Sequence, residues 1–145
     1  MRPDDNDDDE DSGITFAEQE FINWCDANGI DHTEEDMEEE DRRDFKKTKK
    51  RFMRAVDEKR LVVDGTKIEY TISRFSKKNA GQTLAISRPI GRDFIAMDGF
   101  RDTQQMQRFQ AFIASIAKTE KSLVANLDIE DRQLLVDIGT LFLVG

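Results

Sequence analysis

Apolar residues recur at helical spacing in two stretches near the end of the chain. Between residues 102–117 and between residues 128–142 they lie three and four positions apart, as Met106, Phe109, Ile113 and Ile116, and then Leu134, Ile138, Leu141 and Phe142. This spacing places apolar side chains on one face of a helix. Asp102 and Asp128 open the two stretches, and each can accept a hydrogen bond from a free first-turn N–H. We therefore predict two helices that pack as a hairpin, joined by the link 118–127.

Alternating apolar and polar residues predict strands upstream of this hairpin. The apolar positions on one face are Ile68, Tyr70, Ile72, Leu84 and Ile86. Asp64-Gly65 between two β-rich runs is typical of a type I′ turn, and Pro89 ends the last strand because it has no N–H to donate. The pattern predicts a three-stranded antiparallel meander. A short helix from Asp93 to Asp98 should follow it, with Phe94 and Met97 pointing inward.

Two further helices are predicted before the strands. Thr15 and Glu18 have the spacing of a capping box, and Asn28-Gly29 is typical of a helix end. The stripe between them contains Ala17, Phe21, Trp24 and Cys25. The next helix should open at Thr33 and run to about Lys59, with a narrow stripe formed by Phe45, Phe52 and Val56. A long polar helix with so thin a stripe suits an arm across the domain or a contact with a partner.

These elements indicate an α+β fold: a small antiparallel sheet followed by a helical hairpin. They divide the chain into a disordered acidic tail (1–13), a helical charged extension (14–59) and an α+β core domain (60–145). Charged residues make up 37% of the chain and hydrophobic residues also 37%, which is low for a fully packed protein. The acidic block at residues 4–11 has no apolar side chain to bury, and such blocks stay disordered.

Charge is divided unevenly along the chain. Residues 1–41 contain 18 acids and one Arg, a net charge of −17, whereas residues 42–145 contain 13 acids and 21 Lys or Arg, a net charge of +8. The acidic part can fold over the basic part, or each can meet a different partner. The basic cluster in the long helix is compatible with nucleic acid, but the adjacent acids and the total of −9 argue against it.

The residues suited to catalysis or metal binding are few. Cys25 is the only cysteine and lies on an apolar stripe, so no intrachain disulfide forms, and His32 is expected in a surface loop. A calcium loop starting at Asp8 fails because Gln19 occupies the twelfth position, where a bidentate Glu is needed. There is no secretory leader and no apolar run long enough to cross a membrane. We therefore expect an intracellular protein that is not an enzyme and has no cofactor, metal or membrane contact.

The order of several motifs carries a resemblance. Thr83-Leu-Ala-Ile-Ser-Arg-Pro is followed by Asp93 at a helix start, Leu123-x-x-x-Leu127 and Asp131-x-x-Leu134. This succession resembles the tail assembly chaperones of long-tailed phages and Mu-like prophages. The run from Arg60 to Ile72 resembles their strand-rich half, so the resemblance covers residues 60–145. The charged extension departs from the family pattern, since members often start near the strands.

The resemblance implies a non-catalytic function in tail morphogenesis. Tail assembly chaperones coat the tape measure protein, keep it soluble, recruit tail tube subunits and are absent from the finished virion. The partners implied are therefore the tape measure protein and the major tail tube protein, in the host cytoplasm, with homo-oligomers possible and nucleic acid not expected. Candidate partner-binding residues are Phe109, Phe112, Ile116, Leu134, Ile138, Leu141, Phe142, Phe21 and Trp24.

Two readings of these residues remain open at this stage. The apolar residues can form the core instead of a surface, and Phe112 is the one expected to be partly exposed, because it lies off the main stripe of its helix. Two other functions are compatible with the chain. It could be an acidic mimic of DNA that occupies a host nucleic-acid-binding protein through the carboxylates of 4–11 and 34–41, or a structural tail or connector protein of the virion.

Overall fold

The structure, a computed structural model, describes residues 13–144. The tail 1–13, expected to be disordered, therefore lies almost entirely outside the described residues, as do the first positions of the rejected calcium loop. The elements follow one another as α1 (Phe16–Asn28), α2 (Glu39–Asp57), β1 (Leu61–Asp64), β2 (Lys67–Thr71), β3 (Thr83–Ile86), α3 (Gly91–Ile95), α4 (Gln105–Ile116), α5 (Lys121–Ala125) and α6 (Ile129–Val144). Single 3₁₀ turns occupy Glu34–Asp36, Lys77–Asn79 and Asp102–Gln104. The predicted α+β class is confirmed.

The sheet is the antiparallel meander that the alternation predicted. Its order is β1-β2-β3, with Leu61 opposite Tyr70 and Ile68 opposite Ile86. The predicted turn is wrong in detail. Asp64 still pairs with Lys67, so the two loop residues are Gly65 and Thr66, and only Gly65 has a positive φ. A type I′ turn requires positive φ at both loop residues, so the turn is of another type.

Helix α1 has the ends that its sequence predicted. The Thr15 hydroxyl oxygen accepts a hydrogen bond from the Glu18 N–H at 3.2 Å, and Gly29 has a φ of +69° after the last turn. The start predicted for α2 is wrong, because Thr33–Asp36 forms only a 3₁₀ turn and the α-helix begins at Glu39. The Arg42 guanidinium donates to the carbonyl oxygens of Glu34 and Met37, both at 2.9 Å, and these bonds stabilise the break.

The C-terminal hairpin is present, with changes at its ends and in its link. Asp128 caps α6 by accepting from the Glu130 N–H at 3.0 Å, as expected. Asp102 instead lies inside a 3₁₀ turn before α4, where the Gln104 side chain accepts from the Arg101 N–H at 2.9 Å. The link between the two helices contains helix α5, which the sequence did not predict.

Aromatic rings join α1, α2 and α6 in a cluster that we call the closed cluster, formed by Phe21, Trp24, Phe45, Phe52 and Phe142. The Phe21 and Phe52 ring centroids are 5.0 Å apart, and those of Trp24 and Phe142 are 5.4 Å apart. The buried residues of α1 and α2 belong to the same core as those of the sheet and hairpin. Within residues 13–144, packing therefore does not separate the extension 14–59 from the domain 60–145.

Candidate functional site

Most of the apolar residues predicted to bind a partner lie in the core. Fully or almost fully buried are Phe21, Trp24, Phe112, Ile116, Leu134, Ile138 and Leu141, while Phe109 and Phe142 are half-buried. A buried side chain cannot contact a partner while the fold stays intact. The reading of these residues as core is the one that their burial favours.

The exposure predicted for Phe112 is wrong, since its side chain is 0% exposed. The Phe94 ring lies 5.5 Å from the Phe112 ring, and the Phe109 ring lies 6.4 Å from it. Phe112 points away from the main stripe of α4, but the short helix α3 covers that side. Phe94 was expected to point inward and is instead 42% exposed, because it forms the outer layer over Phe112.

Exposed apolar side chains lie at α3 and on α4, the two helices whose rings Phe94 and Phe112 contact each other. We use "apolar patch" for Ile90, Phe94, Ile95 and Met106, which are all exposed, together with the half-buried Phe109. Ile95 is 65% exposed and Met106 61%. Single exposed apolar residues are ordinary, but several of them on two helices that contact each other are typical of an interaction site.

A buried carboxylate holds α3 in place beneath the patch. Asp93 accepts a hydrogen bond from the Ile90 N–H at 2.8 Å and another from the Ser115 hydroxyl at 2.5 Å. The first bond caps the start of α3, and the second ties α3 to α4. With Asp93 turned inward, the neighbouring residues Phe94 and Ile95 are directed toward solvent.

On the α6 side of the patch, a glycine makes room for Phe109. A Cβ atom at Gly139 would lie 3.2 Å from Cζ of Phe109 and 3.3 Å from Cγ1 of Ile113. The Phe109 ring therefore rests on the backbone of α6. The patch is thus supported from both sides, by Asp93 under α3 and by Gly139 under Phe109.

A second buried polar group, Asp131, joins α6 to the sheet and its following loop. Its carboxylate accepts from the Tyr70 hydroxyl at 2.5 Å, from the Ser73 N–H at 3.0 Å and hydroxyl at 2.8 Å, and from the Ser76 hydroxyl at 2.5 Å. Burial raises the pKa of Asp131, but the hydrogen bonds from Ser76, Tyr70 and Ser73 outweigh it, so the pKa lies below its usual value. The same burial, together with the bond to Asp131, raises the pKa of Tyr70.

Arginines line a cleft beside this carboxylate. Arg60 donates to the Tyr70 hydroxyl at 2.5 Å, and Arg51 forms a two-pronged ion pair with buried Asp137, at 2.5 and 3.1 Å. Arg54 completes the lining of a hollow of 280 Å³, whose edge carries the exposed Ile129. Because Asp137 pairs with Arg51 and Glu58 pairs with Arg60, these two guanidinium groups stabilise the fold rather than offering free charge.

The side chains suited to metal binding or nucleophilic chemistry are dispersed or buried in residues 13–144. No group of three or more His, Cys, Asp or Glu in this part of the chain could hold a metal ion. Burial raises the pKa of the Cys25 thiol to about 12, so the thiolate nucleophile does not form at neutral pH. His32 lies in the loop after α1, as predicted, and contacts Asp26 at 2.8 Å. Among the described helices, none is long and apolar enough to cross a membrane.

The comparisons add no relative to this description. No known protein family, no curated protein and no solved structure matches the chain.

Proposed function

We propose that this protein is a phage tail assembly chaperone that binds the tape measure protein through the apolar patch. The observation that carries the proposal is the exposure of Phe94, Ile95 and Met106 on α3 and α4, two helices that contact each other. The motif order over residues 60–145 supports the same assignment. The proposed partner surface differs from the residues that the sequence predicts to bind a partner, because most of those are buried.

The chemistry of the patch suits an amphipathic helix. Such helices bind by placing apolar side chains three and four positions apart into an apolar surface. Arg92 on α3 and Arg108 on α4 are also exposed, so the same two helices carry charged side chains as well as apolar ones. An apolar centre with a polar rim is the usual anatomy of a protein interface, and aromatic residues often dominate its binding energy.

The same function implies a second partner and a place of action. The loaded chaperone recruits the major tail tube protein, acts in the host cytoplasm and is absent from the mature virion. Its net charge of −9 would help keep a complex with an aggregation-prone partner dispersed. Homo-oligomers are compatible with the same patch, because two copies could cover each other's apolar surface until the partner arrives.

The test is co-expression with the tape measure protein of the same phage or prophage. The wild type should raise the soluble yield of that protein over an empty vector, and Ile95→Asp should remove most of the gain. Phe16→Asp is the matched control, because Phe16 is 73% exposed on α1 and lies outside the patch. Phe112→Asp is unsuitable, since it would place a charge in the core.

If the wild type gives no protection, the chaperone function is rejected. If it protects and Ile95→Asp protects equally, with both variants folded by circular dichroism, the function stands and the apolar patch is rejected as its site.

The acidic mimic of DNA remains a second candidate, because Glu35, Asp36, Glu39, Glu40 and Asp41 are all exposed. Its test requires substitution rather than truncation, because α1 contributes Phe21 and Trp24 to the core. Replacing these five acids by their amides should abolish the activity of a mimic and leave a chaperone active. A structural virion protein would differ from both by remaining in purified particles.

A further inference from the structure

The solvent side of α2 carries a continuous line of cations. Arg43, Lys47, Lys50 and Arg54 lie four, three and four positions apart, so they share one helical face, and all four are exposed. We call this line the basic stripe. It lies opposite the buried face of Phe45 and Phe52, which packs on α1.

Most of the stripe forms no ion pair within residues 13–144. None of the ion pairs and hydrogen bonds in that part of the chain involves Arg43, Lys47 or Lys50, and Arg54 contacts only Glu58, at 3.6 Å. Like charges three and four positions apart on a helix repel each other. A set of carboxylates placed along this face would therefore be attracted to it.

Two shallow hollows lie along the stripe. One of 530 Å³ is lined by five cations, Arg42, Arg43, Lys46, Lys47 and Lys50, and by the acid Glu39. The other, also of 530 Å³, is lined by four cations, Lys46, Lys49, Lys50 and Arg54, by the acids Glu34 and Asp57, and by Met53. Because cations outnumber acids in both linings, the hollows form a path for an extended acidic chain along the helix.

The start of α1 leads directly to this path. The Glu18 carboxylate contacts the Lys49 ammonium at 2.7 Å, and Lys49 lines the second hollow. Gly13, the first described residue, precedes Glu18 by five positions, and the residues before it include seven acids between positions 4 and 11. Nine residues in extended form span up to about 30 Å. That reach equals the length of α2, which is about 28 Å for 19 residues.

We propose that the acidic segment 4–11 pairs with the basic stripe of its own chain. The covalent tether holds the segment at an effective concentration of roughly millimolar, which favours it over free acidic ligands. The contact is electrostatic and buries no apolar group. Its consequence is that the segment neutralises the stripe and competes with any polyanion, nucleic acid included, for the same cations.

The experiment uses the full chain with a spin label at position 8. Asp8→Cys introduces a reactive thiol, while Cys25 stays unlabelled because it is buried and its pKa is raised to about 12. At low salt the label should reduce the NMR amide intensities of residues 43–54 far more than those of Gly65 and Thr66. The effect should be lost in 1 M NaCl, where the Debye length is about 3 Å.

Two variants with the same change in net charge locate the contact. Replacing Arg43, Lys47 and Lys50 by Gln should abolish the intensity loss. Replacing the exposed Lys67, Lys77 and Lys78 by Gln should leave it in place. Intensity loss that is absent or uniform at low salt, or that persists in the stripe variant, would overturn the proposal.

Discussion

Two groups of aromatic rings differ in how completely they are covered. The first is the closed cluster of α1, α2 and α6, and the second consists of Phe94, Phe109 and Phe112 on α3 and α4. Phe21, Trp24 and Phe52 are each 0% exposed, whereas Phe94, over Phe112, is 42% exposed. The covering elements differ in length. Helices α1, α2 and α6 have 13, 19 and 16 residues, while α3 has five.

A five-residue helix is about 7.5 Å long, which is less than the width of a helix with its side chains. Such an element can cover one ring but cannot bury its own apolar residues as well. The length of the neighbouring element, and not the local pattern alone, therefore decides which apolar residues remain on the surface.

The closed cluster should carry the larger share of stability. Phe52→Ala should lower the free energy of unfolding by about 3–5 kcal/mol, because Phe52 contacts the rings of Phe21 and Trp24 and its loss leaves a cavity. Urea unfolding followed by Trp24 fluorescence measures the change. A loss under about 1 kcal/mol would mean that the neighbouring side chains move in to fill the cavity, so the cluster would not be rigidly packed.

Loss of the Asp131 hydrogen bonds should have the second-largest effect on stability. These bonds fix α6 to the sheet, and α6 supplies Phe142 to the closed cluster. Asp131→Asn keeps the shape but leaves at least one buried donor unpaired. It should lower the free energy of unfolding by about 2–3 kcal/mol at pH 7. Circular dichroism during urea unfolding, with the exposed Asp98→Asn as matched control, gives the value.

The stability that Asp131 contributes should depend on pH. The pKa of Asp131 is lower in the folded protein than its unfolded value of about 3.9, so its stabilisation is complete above that value. It should be lost as the pH falls below about 4 and passes through the folded pKa. The difference between wild type and Asp131→Asn should therefore shrink on acidification. A difference that is constant from pH 7 to pH 3 would contradict the assignment.

The sequence predicted elements well where one local signal decided the outcome. Alternation predicted the strands, and the capping residues Thr15 and Asp128 predicted the starts of α1 and α6. The exposure of Phe112 was predicted wrongly because the pattern within α4 does not show that α3 covers its other side. The helix start at Thr33 was predicted wrongly because the side chain of Arg42, farther along the chain, stabilises a break after the 3₁₀ turn.

The buried acids were missed for a related reason. Asp131 lies three and seven positions before Leu134 and Ile138, so it shares the inner face of α6 with them. A carboxylate at an apolar position indicates buried hydrogen-bond donors, and this signal could have found it. Its partners Tyr70, Ser73 and Ser76 come from a distant part of the chain, so the spacing alone could not identify them.

Removal of the exposed Phe94 ring should cost little stability. Phe94→Ala should lower the free energy of unfolding by only about 1 kcal/mol, because part of the ring is already in water. Thermal unfolding of this variant beside Phe52→Ala compares the two clusters directly. Equal losses would mean that the ring of Phe94 is as important to the core as that of Phe52, and the patch would then be an outer part of the core.

The smallest net effect is expected at Gly139, where two contributions oppose each other. Alanine in place of glycine within a helix gains up to about 1 kcal/mol of helix propensity. The added Cβ would lie 3.2 Å from Cζ of Phe109, so the ring must move outward and gives up part of its packing. Because Phe109 is half-buried it can yield, and the free energy of unfolding should change by less than about 0.5 kcal/mol.

A double-mutant cycle separates these two contributions. Phe109→Leu removes the ring atoms that meet the new Cβ, so Gly139→Ala should be more favourable in that background than in the wild type, by about 0.5–1 kcal/mol. The contact with Cγ1 of the buried Ile113, at 3.3 Å, stays in both backgrounds and cancels in the comparison. Additive effects of the two substitutions would show that Phe109 does not rest on Gly139. A stabilising coupling of the predicted sign would show that this glycine sets how far Phe109, and with it the apolar patch, stands out from α6.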